Sequence, residues 1–147
     1  MNSLLRRSGT TLLELAVLLG LLGLLLGVAA PLGRAFVHRG AVVSAREQAL
    51  GLVHRARALA LAGGGATLRV RQDDELILLL DGAGSERERL DVAEAGVDLR
   101  TTGGAREVDL TWTALGWGRV SSRTLDFRRG SARARLVISS RGRASRR

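Results

Sequence analysis

The sequence predicts an α+β protein: one long N-terminal helix, apolar enough at its start to enter a membrane, laid on an antiparallel β head. Three observations predict it. Between Glu14 and Arg34 there is no charge, and Leu15 to Leu32 is apolar apart from glycines and Pro31. From Ala45 to Ala60 the small and apolar residues recur at steps of three and four. After Gly63-Gly64-Gly65 the period changes to two, and short β-like runs follow one another between glycine turns.

The apolar run comes first. At 1.5 Å per residue it makes a helix of roughly 27 Å, close to the ~30 Å hydrocarbon core of a bilayer. Arg6 and Arg7 precede it, and a short cationic leader sets the start of a span on the cytoplasmic side. Glu14 is the feature a plain anchor does not need, because an acid inside a span costs up to about 2.5–3.5 kcal/mol. In the first turn of a helix, however, the macrodipole favours an anion.

Gly9, Thr10, Thr11, Leu12, Leu13 and Glu14, followed by Pro31, resemble the processing site of type IV prepilins and type II secretion pseudopilins. That family has a short basic leader, a Gly at the cut, a Glu at the fifth mature position and often a Pro at the twenty-second. A cut after Gly9 makes Thr10 the first mature residue, Glu14 the fifth and Pro31 the twenty-second. Thr10 stands where the family usually has Phe or Met, the residue that is N-methylated after cleavage. The resemblance implies a prepilin peptidase as processing partner, with Gly9 and Thr10 flanking the cut. It also implies that Glu14 sets register against the new ammonium of a neighbouring subunit, each offsetting the other's desolvation. An ordinary signal peptide is the competing reading, with Leu15 to Leu26 as its apolar region and Val28-Ala29-Ala30 as its cleavage site.

Five stretches follow in order: a leader, 1–9; a transmembrane helical half, 10–33; an amphipathic helical half, 34–62; a β head, 63–140; and a basic C-terminal tail, 141–147. Pro31 removes a donor and crowds the Gly27 carbonyl, so a kink is expected there, and the helix resumes beyond it. Ala45, Ala49, Leu52, Val53, Ala56, Leu59 and Ala60 form the face that packs, while Arg46, Glu47, His54, Arg55 and Arg57 fall on the other side. In the head, Ala66, Leu68 and Val70 alternate with Thr67, Arg69 and Arg71. Leu76 to Leu80 reads as a buried strand and Asp81 to Gly84 as a turn. Short strands are expected around Leu90 and Val92, Val97 and Leu99, Val108 to Trp112, Leu125 and Phe127, and Ala134 to Ile138.

The run Arg123-Thr124-Leu125-Asp126-Phe127, a turn at Gly130, a strand and then Ser140-Arg141-Gly142-Arg143 resemble the end of the GspH/FimT family of minor pseudopilins. This implies a β-sandwich head on a pilin helix, and a structural subunit of a type II secretion pseudopilus or a type IV pilus. It implies as partners other pilins or pseudopilins of the filament and an inner-membrane assembly platform. The expected location is the bacterial inner membrane, single-pass, with the head in the periplasm.

Composition narrows the chemistry. There is no cysteine, hence no disulfide, thiol nucleophile or thiolate metal site. His38 and His54 both lie on the helix, sixteen residues apart, and no histidine in the β region can activate a serine. Calcium needs about six to eight oxygens from a shaped loop, and three consecutive acids at a strand start, Asp73-Asp74-Glu75, read instead as a solvated turn. Gly63-Gly64-Gly65 lacks the Lys-Ser/Thr of a phosphate loop. No catalytic residue, metal or cofactor is expected. The net charge is +9, and Arg119 to Arg147 alone carries ten arginines against one acid, Asp126. Arg141, Arg143, Arg146 and Arg147 are thereby candidates for phosphate contacts. In the DNA-uptake branch of the GspH/FimT family a C-terminal Gly-Arg-x-Arg motif is implicated in DNA binding; Gly142 and Arg143 match it, and Ser145 replaces its second Arg. A DNA-binding minor pilin is thus the alternative function, and an ordinary exported β protein the third.

Overall fold

The computed structural model describes residues 11–119 and 122–147. Gly9 and Thr10 lie outside the described residues. The chain divides into two compact units, one running to Phe36 and the other Val37–Arg147.

The first unit holds the N-terminal part of α1 (Leu12–Gly63), which continues through Pro31 without a break. The proline interrupts one hydrogen bond of the ladder and does not end the helix. The leucines of this part, from Leu12 to Leu32, and Phe36 are exposed. A helix this long and apolar, with none of its apolar window buried by protein, is suited to cross a membrane.

The second unit begins with the rest of α1. Val42, Ala45, Ala49, Leu52, Val53, Ala56 and Ala60 are buried, at i, i+3, i+4 and i+7 spacings. Four of the seven are alanines, which let the helix backbone lie close to the core. Gly64, at φ +84°, follows the helix in the left-handed conformation that only glycine adopts cheaply.

Nine strands follow among the described residues: β1 (Gly65–Arg71), β2 (Leu76–Asp81), β3 (Glu86–Asp91), β4 (Asp98–Thr101), β5 (Glu107–Thr113), β6 (Gly118–Arg119), β7 (Arg123–Arg129), β8 (Ala132–Ile138) and β9 (Ala144–Arg146). They form two antiparallel sheets, ordered β3-β2-β1-β5-β6 and β4-β7-β8-β9. Alternate residues from both sheets and the buried helix face enter one core, with Trp112 and Phe127 its largest fully buried members. This is the sandwich expected from period-two patterning with one face of each sheet dry.

Two details differ from the sequence reading, and the burial of both faces of β2, which agrees with it, has a specific cause. Val92 and Val97 are buried but lie outside the strands, on either side of the 3-10 turn Ala93–Ala95. Leu76, Leu78 and Leu80 face outward on β2 yet are only 8–9% exposed. Register sets Arg69 and Arg71 on one side of them and Arg89 on the other, and such side chains shield apolar surface with their aliphatic stems. Finally, the basic tail 141–147 is a turn and an edge strand: Arg135 and Arg147 exchange two backbone hydrogen bonds of 3.1 Å, and Ser139 N–H donates to Arg143 O at 2.8 Å.

Candidate functional site

The entrance of α1 is built around Thr11 and Glu14. Thr11 N–H donates to Glu14 Oε2 at 2.9 Å, and Glu14 N–H donates to Thr11 Oγ1 at 3.3 Å. This reciprocal capping box satisfies two backbone donors that a helix start leaves open. Sequence reading placed Glu14 in the first turn but missed its pairing with Thr11, although Thr-x-x-Glu before an apolar run is the signature of a capping box. The carboxylate therefore has a duty within its own chain at the place where the apolar helix begins.

The arginines divide into three groups. On the outer face of the four-stranded sheet, Asp126 of β7 is only 7% exposed and gathers Arg128, Arg133 and Arg135. Arg128 Nε donates to Oδ2 at 2.8 Å and Arg133 Nε to Oδ1 at 2.6 Å. Burial pushes the Asp126 carboxyl up, but the hydrogen bonds and charges of Arg133 and Arg128 outweigh it and hold the carboxyl below its ordinary value. Arg100 of β4 lies directly across from Asp126 in register, and Arg135 across on the other side. One acid thus organises a basic face that the sequence shows only as a charge excess.

Arg146 of β9 forms the second group. It reaches Glu47 on α1 at 2.9 Å. The carboxyl of Glu47 is held below its ordinary value, chiefly by the hydrogen bond from Arg46, against an upward push from burial, with the Arg146 charge adding to the lowering. Among the candidate phosphate contacts, Arg146 is therefore already committed to the helix.

Arg141 and Arg143, the third group, are exposed on either side of buried Gly142, at φ +74°. A Cβ there would fall on Nε1 of the Trp112 indole, 3.1 Å from its Cδ1 and 3.2 Å from the Cα of Gly118. The β8–β9 turn thus sits on the indole and against β6, where Gly118 N–H donates to Arg141 O at 3.4 Å. The buried Trp112 N–H meets no acceptor among the described residues. The glycine of the Gly-Arg pair is a packing requirement, and the two arginines are held in fixed places by it.

The remaining candidates are accounted for locally. His38 packs beside Gly130, in the β7–β8 turn, and His54 is exposed. Asp74 pairs with Arg71 at 2.7 Å and Asp73 with Arg106 at 3.7 Å. Among the described residues no three acids or histidines gather as a metal site.

No family model matches the chain, and no curated protein matches it. Solved structures do. The type IV minor pilin FimU of Pseudomonas aeruginosa strain PAO1 is 20% identical, with a TM-score of 0.59 over 74% of this chain and 90% of that one. A second crystal form of it gives 19%, 0.55, 71% and 90%. The minor pseudopilin EpsH from the Type 2 Secretion System of Vibrio cholerae is 15% identical, with a TM-score of 0.55 over 71% of this chain and 94% of that one. At these identities the likeness shows the fold: this chain has the α+β fold of a minor pilin or pseudopilin, as its GspH/FimT resemblance implies.

Proposed function

We propose that the protein is a minor pseudopilin, a structural subunit of a type II secretion pseudopilus or type IV pilus, and not an enzyme. The observation that carries this is the entrance of α1: an acid, five positions after Gly9, caps an exposed apolar helix on a pilin-like fold. A prepilin peptidase cuts after Gly9 and frees the ammonium of Thr10. Glu14 then pairs with the ammonium of a neighbouring subunit while keeping its bond to Thr11, since a carboxylate has acceptor sites for both. The span holds the chain in the inner membrane with the head in the periplasm, and the partners are other pilins or pseudopilins and the assembly platform.

Mass spectrometry of the membrane-extracted protein tests the cut. Thr10 should be the N-terminal residue, and Gly9→Val should leave the leader attached. Glu14→Leu should be inserted and cut yet enter the filament poorly, as read by cross-linking to other subunits. A mature chain beginning at Pro31 would replace this reading with that of an exported protein.

A further inference from the structure

The turn between β5 and β6 presents two large apolar side chains to solvent. Leu115 is 76% exposed and Trp117 64%, and Leu61, in the last turns of α1, is 59% exposed beside them. The turn is rigid. Gly116 N–H donates to Thr113 O at 2.8 Å, and Thr113 N–H donates to Trp117 O at 3.0 Å. Buried Gly116, at φ +70°, packs so closely on α1 that a Cβ would lie 3.0 Å from Leu61 Cδ2 and 3.5 Å from Arg57 Nε. Held this way, Leu115 and Trp117 cannot fold back onto the core. A fixed, exposed Trp with aliphatic neighbours is the make-up of a binding hot spot whose ordering cost is already met.

The rim is basic. Arg57 adjoins Gly116, Arg119 follows Trp117 by two positions on β6, and Arg141 lies across the Gly118–Gly142 contact. All three are exposed, and among the described residues none of them is in an ion pair. We propose that Leu115, Trp117 and Leu61, ringed by Arg57, Arg119 and Arg141, form a docking surface for a different protein subunit that offers an apolar pocket edged by carboxylates. The inference rests on the assembly reading and names the surface through which the head recognises its neighbour. Charge complementarity selects an acidic partner. A second copy docked isologously would set arginines against arginines. Nucleic acid would stack on Trp117 but would leave Leu115 and Leu61, which have no π face, without matching surface.

The test uses the full-length chain in its own cells. The photo-reactive amino acid benzoylphenylalanine replaces Leu115, or in a second strain Trp117, with Glu94 as an exposed control position. The expected result is one protein adduct from positions 115 and 117, none from 94, and the adduct mapped to a segment rich in Asp and Glu. Arg57→Glu with Arg119→Glu should lower its yield at least tenfold, the loss of about 1.4 kcal/mol, with the melting temperature unchanged. The milder Arg57→Gln with Arg119→Gln should lower it by less. Adducts only to a second copy, to lipid or to nucleic acid, no adduct, or a yield indifferent to charge reversal would each overturn the proposal. A chain cut after Gly9 and built into filaments without an adduct loses this surface and keeps its assembly role. A chain left uncut that still gives the charge-dependent adduct keeps the surface and loses that role.

Discussion

Gly142→Ala tests whether the Gly-Arg turn is a structural joint. Two costs arise. The backbone at φ +74° charges an L-residue about 1–2 kcal/mol. The new methyl collides with the Trp112 indole and the Cα of Gly118, and overpacking of a tight site costs about 1–3 kcal/mol. Together they come to roughly 2–5 kcal/mol, a large share of the ~5–15 kcal/mol that holds a domain folded. Gly104→Ala supplies the control: its φ is +67°, and nothing lies within 4 Å of the added methyl. That variant bears the backbone cost alone. Thermal unfolding of the full chain in detergent, followed by circular dichroism, separates the two. At about 4 °C per kcal/mol for a unit of this size, Gly142→Ala should melt about 8–20 °C lower than wild type and Gly104→Ala about 4–8 °C lower. Near-ultraviolet dichroism from Trp112 should change only in the first. Equal melting of the two variants would refute the packing account and return Gly142 to a purely conformational role.

Two further outcomes follow from the arginine groups. Asp126→Asn should destabilise the head by about 1–2 kcal/mol, discounted from the ~3–5 kcal/mol of a fully buried pair because its three arginines are 43–44% exposed. Because the Asp126 carboxyl is held low in the folded state, its contribution is present above the ordinary carboxylate value and lost as pH falls through the folded one. The stabilities of wild type and Asp126→Asn should therefore begin to converge only as pH falls below about 4, as pH-dependent melting would show. Changing Arg141, Arg143, Arg146 and Arg147 to Ala should leave membrane insertion and the cut after Gly9 intact, and wild-type binding to duplex DNA should be negligible at about 150 mM salt. Tight binding at that salt, with a log–log slope that falls by about 3 in the variant, would move the function to DNA uptake; the fall is below four because Arg146 is engaged by Glu47.

The sequence by itself determined the architecture. An uncharged run of bilayer length, a 3.6-residue stripe ending at three glycines and a switch to period two each follow from local geometry, and α1, the two sheets and the buried alternation of β1 and β5 agree with them. It also placed Glu14, because capping and charge at a helix start are local effects. What local pattern could not show is which distant residues meet. β6 and β9 are two and three residues long, too short for any period, and exist because a neighbouring strand offers its edge. Asp126 stands alone among arginines in the sequence, and only the pairing of β7 with β8 makes it their common partner. Gly142 reads as one more turn glycine until the two sheets bring it onto Trp112, thirty positions earlier. Trp112 reads as core from the alternation of β5, whereas no local pattern places Trp117, which stands in solvent. The turn that carries it is set by Gly116 packing on Leu61 of α1, a contact that lies 55 residues apart in the chain.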